Sequence, residues 1–222
     1  MVRILKRRDS LKVPRATGSQ KRSKGVLREY GEAILIALIL ALFIRTFIVQ
    51  AFKIPSGSMV PTLEIGDHIL VNKFIYGIRV PYTKEYLVLF SKPDRGDIIV
   101  FIYPEDPKKD FIKRVIGVEG DTVEIRNKRV YLNGSLHDDP KVRYTDPRVI
   151  PDGLDPRDNF GPITVPKDAL FVMGDNRDNS RDSRYWGFVP LGLVKGKAFM
   201  IYYSWDPTRR GIRWKRMGDL IH

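Results

Sequence analysis

The sequence predicts a mainly β domain held behind a single N-terminal transmembrane helix. Three observations carry this. The chain has one long apolar run, the twelve residues from Ala33 to Ile44. Short β-branched and aromatic runs follow it, punctuated by Gly, Asn and Asp turn signals. Nothing from Val60 to His222 repeats with a helical period.

Composition narrows the class. The 222 residues, 43% hydrophobic and 29% charged, suit a globular chain long enough to bury a sizeable core. The absence of cysteine excludes disulfides, thiolate metal sites and a cysteine nucleophile. His68, His137 and His222 lack metal-ligand spacing, so neither a metal nor another cofactor is expected. The formal net charge of +13 is unevenly placed: residues 1–32 hold ten Lys/Arg against three acids, and residues 53–222 hold 28 against 23. A strongly basic chain invites a nucleic-acid reading. Here the excess precedes the apolar run, the pattern of a cytoplasmic membrane flank, and nucleic acid is not an expected partner.

Residues 1–32 form a basic cytoplasmic tail, either solvated or laid against anionic lipid headgroups. Residues 33–52 are assigned to the anchor; twenty residues at ~1.5 Å each reach roughly 30 Å, enough to cross a bilayer core. Arg45 interrupts the segment and must snorkel or find a partner. Val49-Gln50-Ala51 has the small-residue spacing of a cleavage site, so a cleaved signal peptide and a buried soluble helix stand as alternatives. The basic flank places the N-terminus in the cytoplasm and residues 53–222 across the membrane.

Strands are expected at His68–Phe74, Asp97–Tyr103, Phe111–Val118, Leu170–Met173 and Lys197–Trp205. Thr122–Leu132 reads as a hairpin turning near Arg126-Asn127-Lys128 and closed by Asn133-Gly134. Residues 135–166, with six prolines and six aspartates, read as a variable β/loop extension without chemistry. Trp205 and Trp214, beside Arg209, Arg210, Arg213 and Lys215, form either a headgroup seat or a plain surface patch.

Three segments carry the chemistry. In Ile54-Pro-Ser-Gly-Ser-Met59 two hydroxyls flank a glycine among apolar residues, just past the anchor. A serine is a weak nucleophile until a base takes its proton. A Ser-His-Asp arrangement would need His68, inside a strand pattern, or His137, in the extension. Lys113 lies between Phe111-Ile112 and Val115-Ile116, where burial could keep an amine neutral; a solvated strand lysine is the plainer reading. Gly174 to Gly187 packs charges, amides and hydroxyls behind an apolar strand, as a rigid loop or as an ordinary polar one.

Together these segments resemble bacterial type I signal peptidase, the membrane-bound serine protease that removes signal peptides from exported proteins. The resemblance runs from Phe52 to about Trp205, apart from 135–166. It rests on Phe52-Lys-Ile-Pro-Ser-Gly-Ser-Met-Val-Pro-Thr-Leu63, Gly66-Asp67, Arg95-Gly-Asp-Ile-Ile-Val-Phe101, Asp110-Phe-Ile-Lys-Arg-Val-Ile-Gly117 with Gly120-Asp121, and Gly174 to Pro190. It implies Ser58 as nucleophile and Lys113 as general base, with Ser56 assisting the Ser58 N–H in an oxyanion hole. It also implies that Ser180 orients the Lys113 amine and that Asp182 and Arg184, with Asp175 nearby, brace the loop. Phe52, Ile54, Met59, Leu63, Ile69, Val100, Phe111 and Ile112 match the family's pockets for small side chains. The implied fold is a two-part antiparallel β-sheet domain (53–222) with a hydrophobic face toward the membrane. The implied partners are preprotein signal peptides with small residues at the cut and membrane lipids. The implied location is the bacterial plasma membrane, crossed once, with catalysis on the outer side. Some relatives carry two spans where this chain has one. A non-catalytic peptide- or lipid-binding domain and a self-cleaving serine–lysine peptidase of the repressor type are the competing readings. The latter carries a nucleic-acid-binding domain where this chain has an apolar run.

Overall fold

The structure is a computed structural model and describes residues 26–79 and 86–222. Residues 1–25 of the expected basic tail lie outside these. The chain divides into two compact units between Leu40 and Ala41. Helix α1 covers Val26–Phe43 and continues into one π-helical turn, Ile44–Ile48, which carries Arg45.

The expected anchor is corrected at its end. Val49–Phe52 are not helical: Val49–Lys53 form strand β1, antiparallel to β2 (Asp67–Asn72), with Val49 opposite Asn72 and Lys53 opposite His68. Pairing with β2 engages one edge of Val49–Lys53, and Phe52 packs on the core. No helix among the described residues is long and apolar enough to cross a membrane. Helix α1 opens with Arg28, Glu29 and Glu32, and the apolar run is divided at Phe43.

Further strands follow in order: β3 Gly77–Arg79, β4 Tyr86–Leu89, β5 Ile98–Ile102, β6 Asp110–Gly117, β7 Thr122–Arg126, β8 Arg129–Leu132, β9 Ser135–Leu136, β10 Phe160–Thr164, β11 Ala169–Met173, β12 Val189–Pro190, β13 Val194–Asp206 and β14 Gly211–Ile212. Helix α2 is the single turn Ser183–Trp186. The strands make an eight-stranded sheet in the order β1-β2-β13-β5-β6-β11-β12 with β14 on β13, a four-stranded sheet β10-β7-β8-β9, and the hairpin β3-β4. Every strand pair is antiparallel, so the chain is mainly β, as expected.

The expected hairpin turns where the sequence places it. Asn127 and Lys128 both take left-handed φ values, 48° and 71°, the geometry of a two-residue turn that matches strand twist. The extension, by contrast, is not wholly outside the sheets. Its two ends are β9 and β10, and β10 pairs with β7. That pairing needs no local signal beyond Ile163 and Thr164, which is why Phe160–Thr164, interrupted by Gly161 and Pro162, does not read as a strand.

Three apolar clusters hold the sheets. One gathers Ile54, Met59, Leu63, Ile69, Val100 and Ile112. A second gathers Ile99, Phe101, Val115 and Val172, with Phe111 against it. The third, between the two larger sheets, includes Ile116, Val123, Ile125 and Phe171. Strand β6 divides the first two, because Ile112 faces one and Phe111 and Val115 the other. The chain's end is bound by charge: Arg216 Nη2 meets buried Asp67 at 2.6 Å, and Arg213 Nη1 meets Glu64 at 2.7 Å. Arg213 is therefore engaged within the protein, whereas Trp214 is 71% exposed.

Candidate active site

The loop from Ile54 to Gly66 is pinned at its base. Ile54 N donates to Asp67 O at 2.8 Å and Gly66 N to Ile54 O at 3.0 Å. Within it Ile54, Met59 and Leu63 point into the first cluster, which leaves the hydroxyl residues at the top. Ser58 is 9% exposed, and Ser56 is open to solvent. The other face of this loop rests on a distant one: Asn176 N donates to Ser58 O and Asn176 Nδ2 to Gly57 O, each at 3.0 Å.

Lys113 arrives from β6, opposite Ile99 of β5. It is 4% exposed, and its Nζ donates to Ser58 Oγ at 2.6 Å. The Phe111 ring centroid lies 5.6 Å from the amine. Burial is the largest influence and lowers the Lys113 pKa from 10.5 to about 8; Asp182 pulls upward, Arg184 downward and Asp175 upward. The amine therefore gives up its proton at mildly alkaline pH, well below the range of an exposed lysine. His68 instead packs edge-on between Tyr202 and Tyr203 on the sheet.

The loop after β11 supplies the surroundings. Asp182, fully buried, accepts from Gly174 N at 3.0 Å and binds Arg184 through both oxygens, at 2.8 Å each. Burial pushes the Asp182 pKa up, but the Arg184 charge and these hydrogen bonds outweigh it and hold it below the ordinary value. Asp175 is gripped the same way by Arg114, at 2.8 and 2.7 Å, and accepts Thr62 Oγ1 at 2.5 Å. Ser180 Oγ is buried and makes no hydrogen bond among the described residues. It lies against Gly174, where a Cβ would overlap both Ser180 Oγ and the Ser58 carbonyl oxygen.

The eight expected pocket residues divide. Phe52, Ile54, Met59, Leu63, Ile69, Val100 and Ile112 belong to one cluster, and Phe111 lies across β6 in another. Met59, Leu63 and Ile69 are wholly buried, so they form a floor and not an open wall. A 360 Å³ cleft beside the Ile54–Gly66 loop is lined instead by Pro61, Thr62, Pro140, Lys141, Leu220 and His222. Sequence reasoning missed Asn176, Arg114 and Thr62 as partners of the site. Asn176 and Arg114 stand inside recognisable motifs, but their contacts are long-range and carry no local signal.

Comparison with known proteins bears on this arrangement. Residues 27–205 match the family described as signal peptidase, peptidase S26. A signal peptidase I of Pseudomonas aeruginosa is 40% identical over 229 residues, covering 89% of this chain and 80% of its own. Signal peptidase I S of Bacillus subtilis is 37% identical over 191 residues, covering 85% and 95%. A solved signal peptidase I from Enterococcus faecalis, 34% identical, covers 48% of this chain and 97% of its own with a TM-score of 0.39.

The packing at Gly174 generates one prediction. Gly174→Ala forces the Ser58 carbonyl and Ser180 apart, and misplacement of about 1 Å in a site costs on the order of 10²-fold in rate. Turnover should fall by about that factor while circular dichroism stays native. Near-wild-type turnover would show that the two loops can separate without consequence.

Proposed function

The chain belongs to the signal peptidase family, peptidase S26, and we propose that in it Ser58 is the nucleophile and Lys113 the general base of a membrane-bound endopeptidase that removes signal peptides. The observation that carries this reading is the 2.6 Å contact between a buried lysine amine and a serine hydroxyl. A lysine serves as base only when neutral, and burial supplies that condition here.

The steps follow from the atoms available. Ser58 Oγ attacks the scissile carbonyl as its proton passes to Lys113 Nζ. The oxyanion is held by the Ser58 N–H and the Ser56 hydroxyl, donors aimed at charge that exists only in the transition state. The Lys113 ammonium then protonates the departing amine of the mature protein. In the second half Lys113 takes a proton from water as its oxygen adds to the acyl carbonyl. The acyl C–Oγ bond then breaks, the ammonium returns its proton to Ser58 Oγ, and the signal peptide leaves as a carboxylic acid. In this reading Ser180 orients the amine, while Asp182 and Asp175 act on it through their charge, Asp182 paired with Arg184 and Asp175 with Arg114. Small side chains before the cut suit a site floored by closely packed Met59, Leu63 and Ile69.

In this reading neither α1 nor the π-helical turn spans alone. The mostly apolar run from Ala33 through Ile48, continuous across the two, forms the membrane anchor, with the N-terminus cytoplasmic and the domain from β1 onward on the outer side of the bacterial plasma membrane. The basic tail before the apolar run supports that orientation. A cut after Ala51 is disfavoured, since Val49-Gln50-Ala51 is held in the sheet by pairing with β2 and would have to leave it to enter a protease cleft.

Ser58→Ala and Lys113→Ala should each abolish nearly all single-turnover cleavage of a preprotein, and the double variant should be little worse, because members of one unit are non-additive. Normal turnover by Lys113→Ala would overturn the assignment. The pH profile follows from the same amine. Activity should rise as pH increases through about 8, and Lys113→Arg should be inactive at every pH because guanidinium keeps its proton. An acid limb well below neutrality would exclude Lys113 as the base. Removal of residues 1–48, which spares β1, should leave cleavage of short peptides in detergent intact and slow the processing of membrane-inserted preproteins. Equal rates on membrane-inserted preproteins would deny the anchor its role.

A further inference from the structure

The Asp178 carboxylate is almost closed to solvent, yet it touches neither Ser58 nor Lys113. Its side chain is 2% exposed. One oxygen accepts Lys128 Nζ at 2.6 Å, and the other accepts the main-chain N–H groups of Thr145 at 2.7 Å and Asp146 at 2.8 Å. Lys128 also donates to Asp146 O at 2.8 Å. Burial pushes the Asp178 pKa up, but Lys128 and the two N–H groups outweigh it, so the group stays ionised. An exposed ion pair at this place would contribute little. This one is buried and charge-assisted on both oxygens, and it joins three separate pieces of chain.

Those pieces are the site loop, the β7–β8 turn and the extension. Asp178 stands two residues after Asn176, which holds the Ser58 carbonyl, and two before Ser180. Other bonds follow the same path. Arg143 N donates to Asp175 O at 2.8 Å, and Arg177 N donates to Arg143 O at 3.0 Å. Asn179 Nδ2 donates to Thr145 Oγ1 at 2.7 Å, and Arg184 Nη1 to Arg157 O at 2.7 Å. The extension thus lies along the back of the loop whose front carries the catalytic surroundings.

We propose that Asp178 is a positioning residue, and that residues 139–158 with the Lys128 turn form the seat that fixes the Gly174–Gly187 loop against Ser58 and Lys113. This rests on the Ser58–Lys113 reading and deepens it. Substrate binding is not involved. Loosening the seat lets water reach the Lys113 amine, whose charged neighbours are Asp182, Arg184 and Asp175. Relief of desolvation favours the ammonium form, so the acid limb of cleavage moves to higher pH.

The test compares full-length wild type, Asp178→Asn, Lys128→Asn, Lys92→Ala and Lys113→Ala in detergent on one preprotein across pH. Lys128→Asn keeps a residue suited to the left-handed turn and removes the ammonium. Lys92→Ala breaks an exposed ion pair elsewhere and should match wild type. Asp178→Asn should lower kcat about tenfold with KM little changed, and its acid limb should shift upward. Should Asp178→Asn fail to fold, Lys128→Asn reads the same shift. A loss of kcat with an unmoved acid limb, or a profile identical to wild type, overturns the proposal. If Lys113→Ala is inactive in that same experiment, the dyad stands and only the seat falls. If Lys113→Ala is active, both fall together.

Discussion

A lysine amine removed from water keeps its proton only if a carboxylate compensates for the lost hydration. Lys113 stands where compensation has been withheld. Its strand face is apolar, with Ile99 opposite, Phe101 and Val115 close by and the Phe111 ring beside the amine. Two buried carboxylates are near enough to restore the proton, Asp182 and Asp175, and each is already bound through both oxygens by an arginine. Breaking either pair would leave an uncompensated buried charge, a loss of roughly 3–5 kcal/mol. The polar loop therefore packs against the amine with its own carboxylates largely engaged, so their upward pull on Lys113 falls short of the lowering by burial, and this balance gives meaning to the density of charge in Gly174–Gly187.

The sheet order explains how residues so far apart in the chain meet. Strand β6 lies between β5 and β11, so Lys113 and the loop that follows Met173 are neighbours through direct pairing. The loop carrying Ser58 joins β1 to β2 at one end of the same sheet and crosses to Asn176 by two hydrogen bonds. Strands place the groups to within a residue, and side chain to main-chain bonds finish the alignment. Gly174 is the point where tolerance vanishes, since serine residues press on it from both loops.

Much of this is legible in the sequence, for physical reasons. Strand periodicity exposes β2, β5, β6, β11 and β13, and the Asn127-Lys128 and Asn133-Gly134 turns declare themselves by residue type. The serine and lysine segments are recognisable through their apolar settings and family likeness. Hidden features depend on partners distant in sequence. Val49–Phe52 reads as the tail of an apolar run until β2 is seen to claim it. The extension's aspartates look like solvated loop residues, yet Asp158 is 1% exposed beside Arg157. Polar residues in loops acquire their roles from tertiary placement, which no local pattern encodes.

Strand β1 has a consequence for the sheet's margin. It is the outermost strand on its side, and its inner neighbour β2 carries Ile69 and Val71, wholly buried, in a β-branched and apolar run. Loss of β1 would uncover a row of unpaired backbone donors and acceptors along that run, a template for intermolecular strand addition. Residues 49–53 thus cover the apolar β2 edge, in the same stretch where the chain leaves its helical segment. Detachment of the domain from its helix is tolerable on one side of Val49 and hazardous on the other.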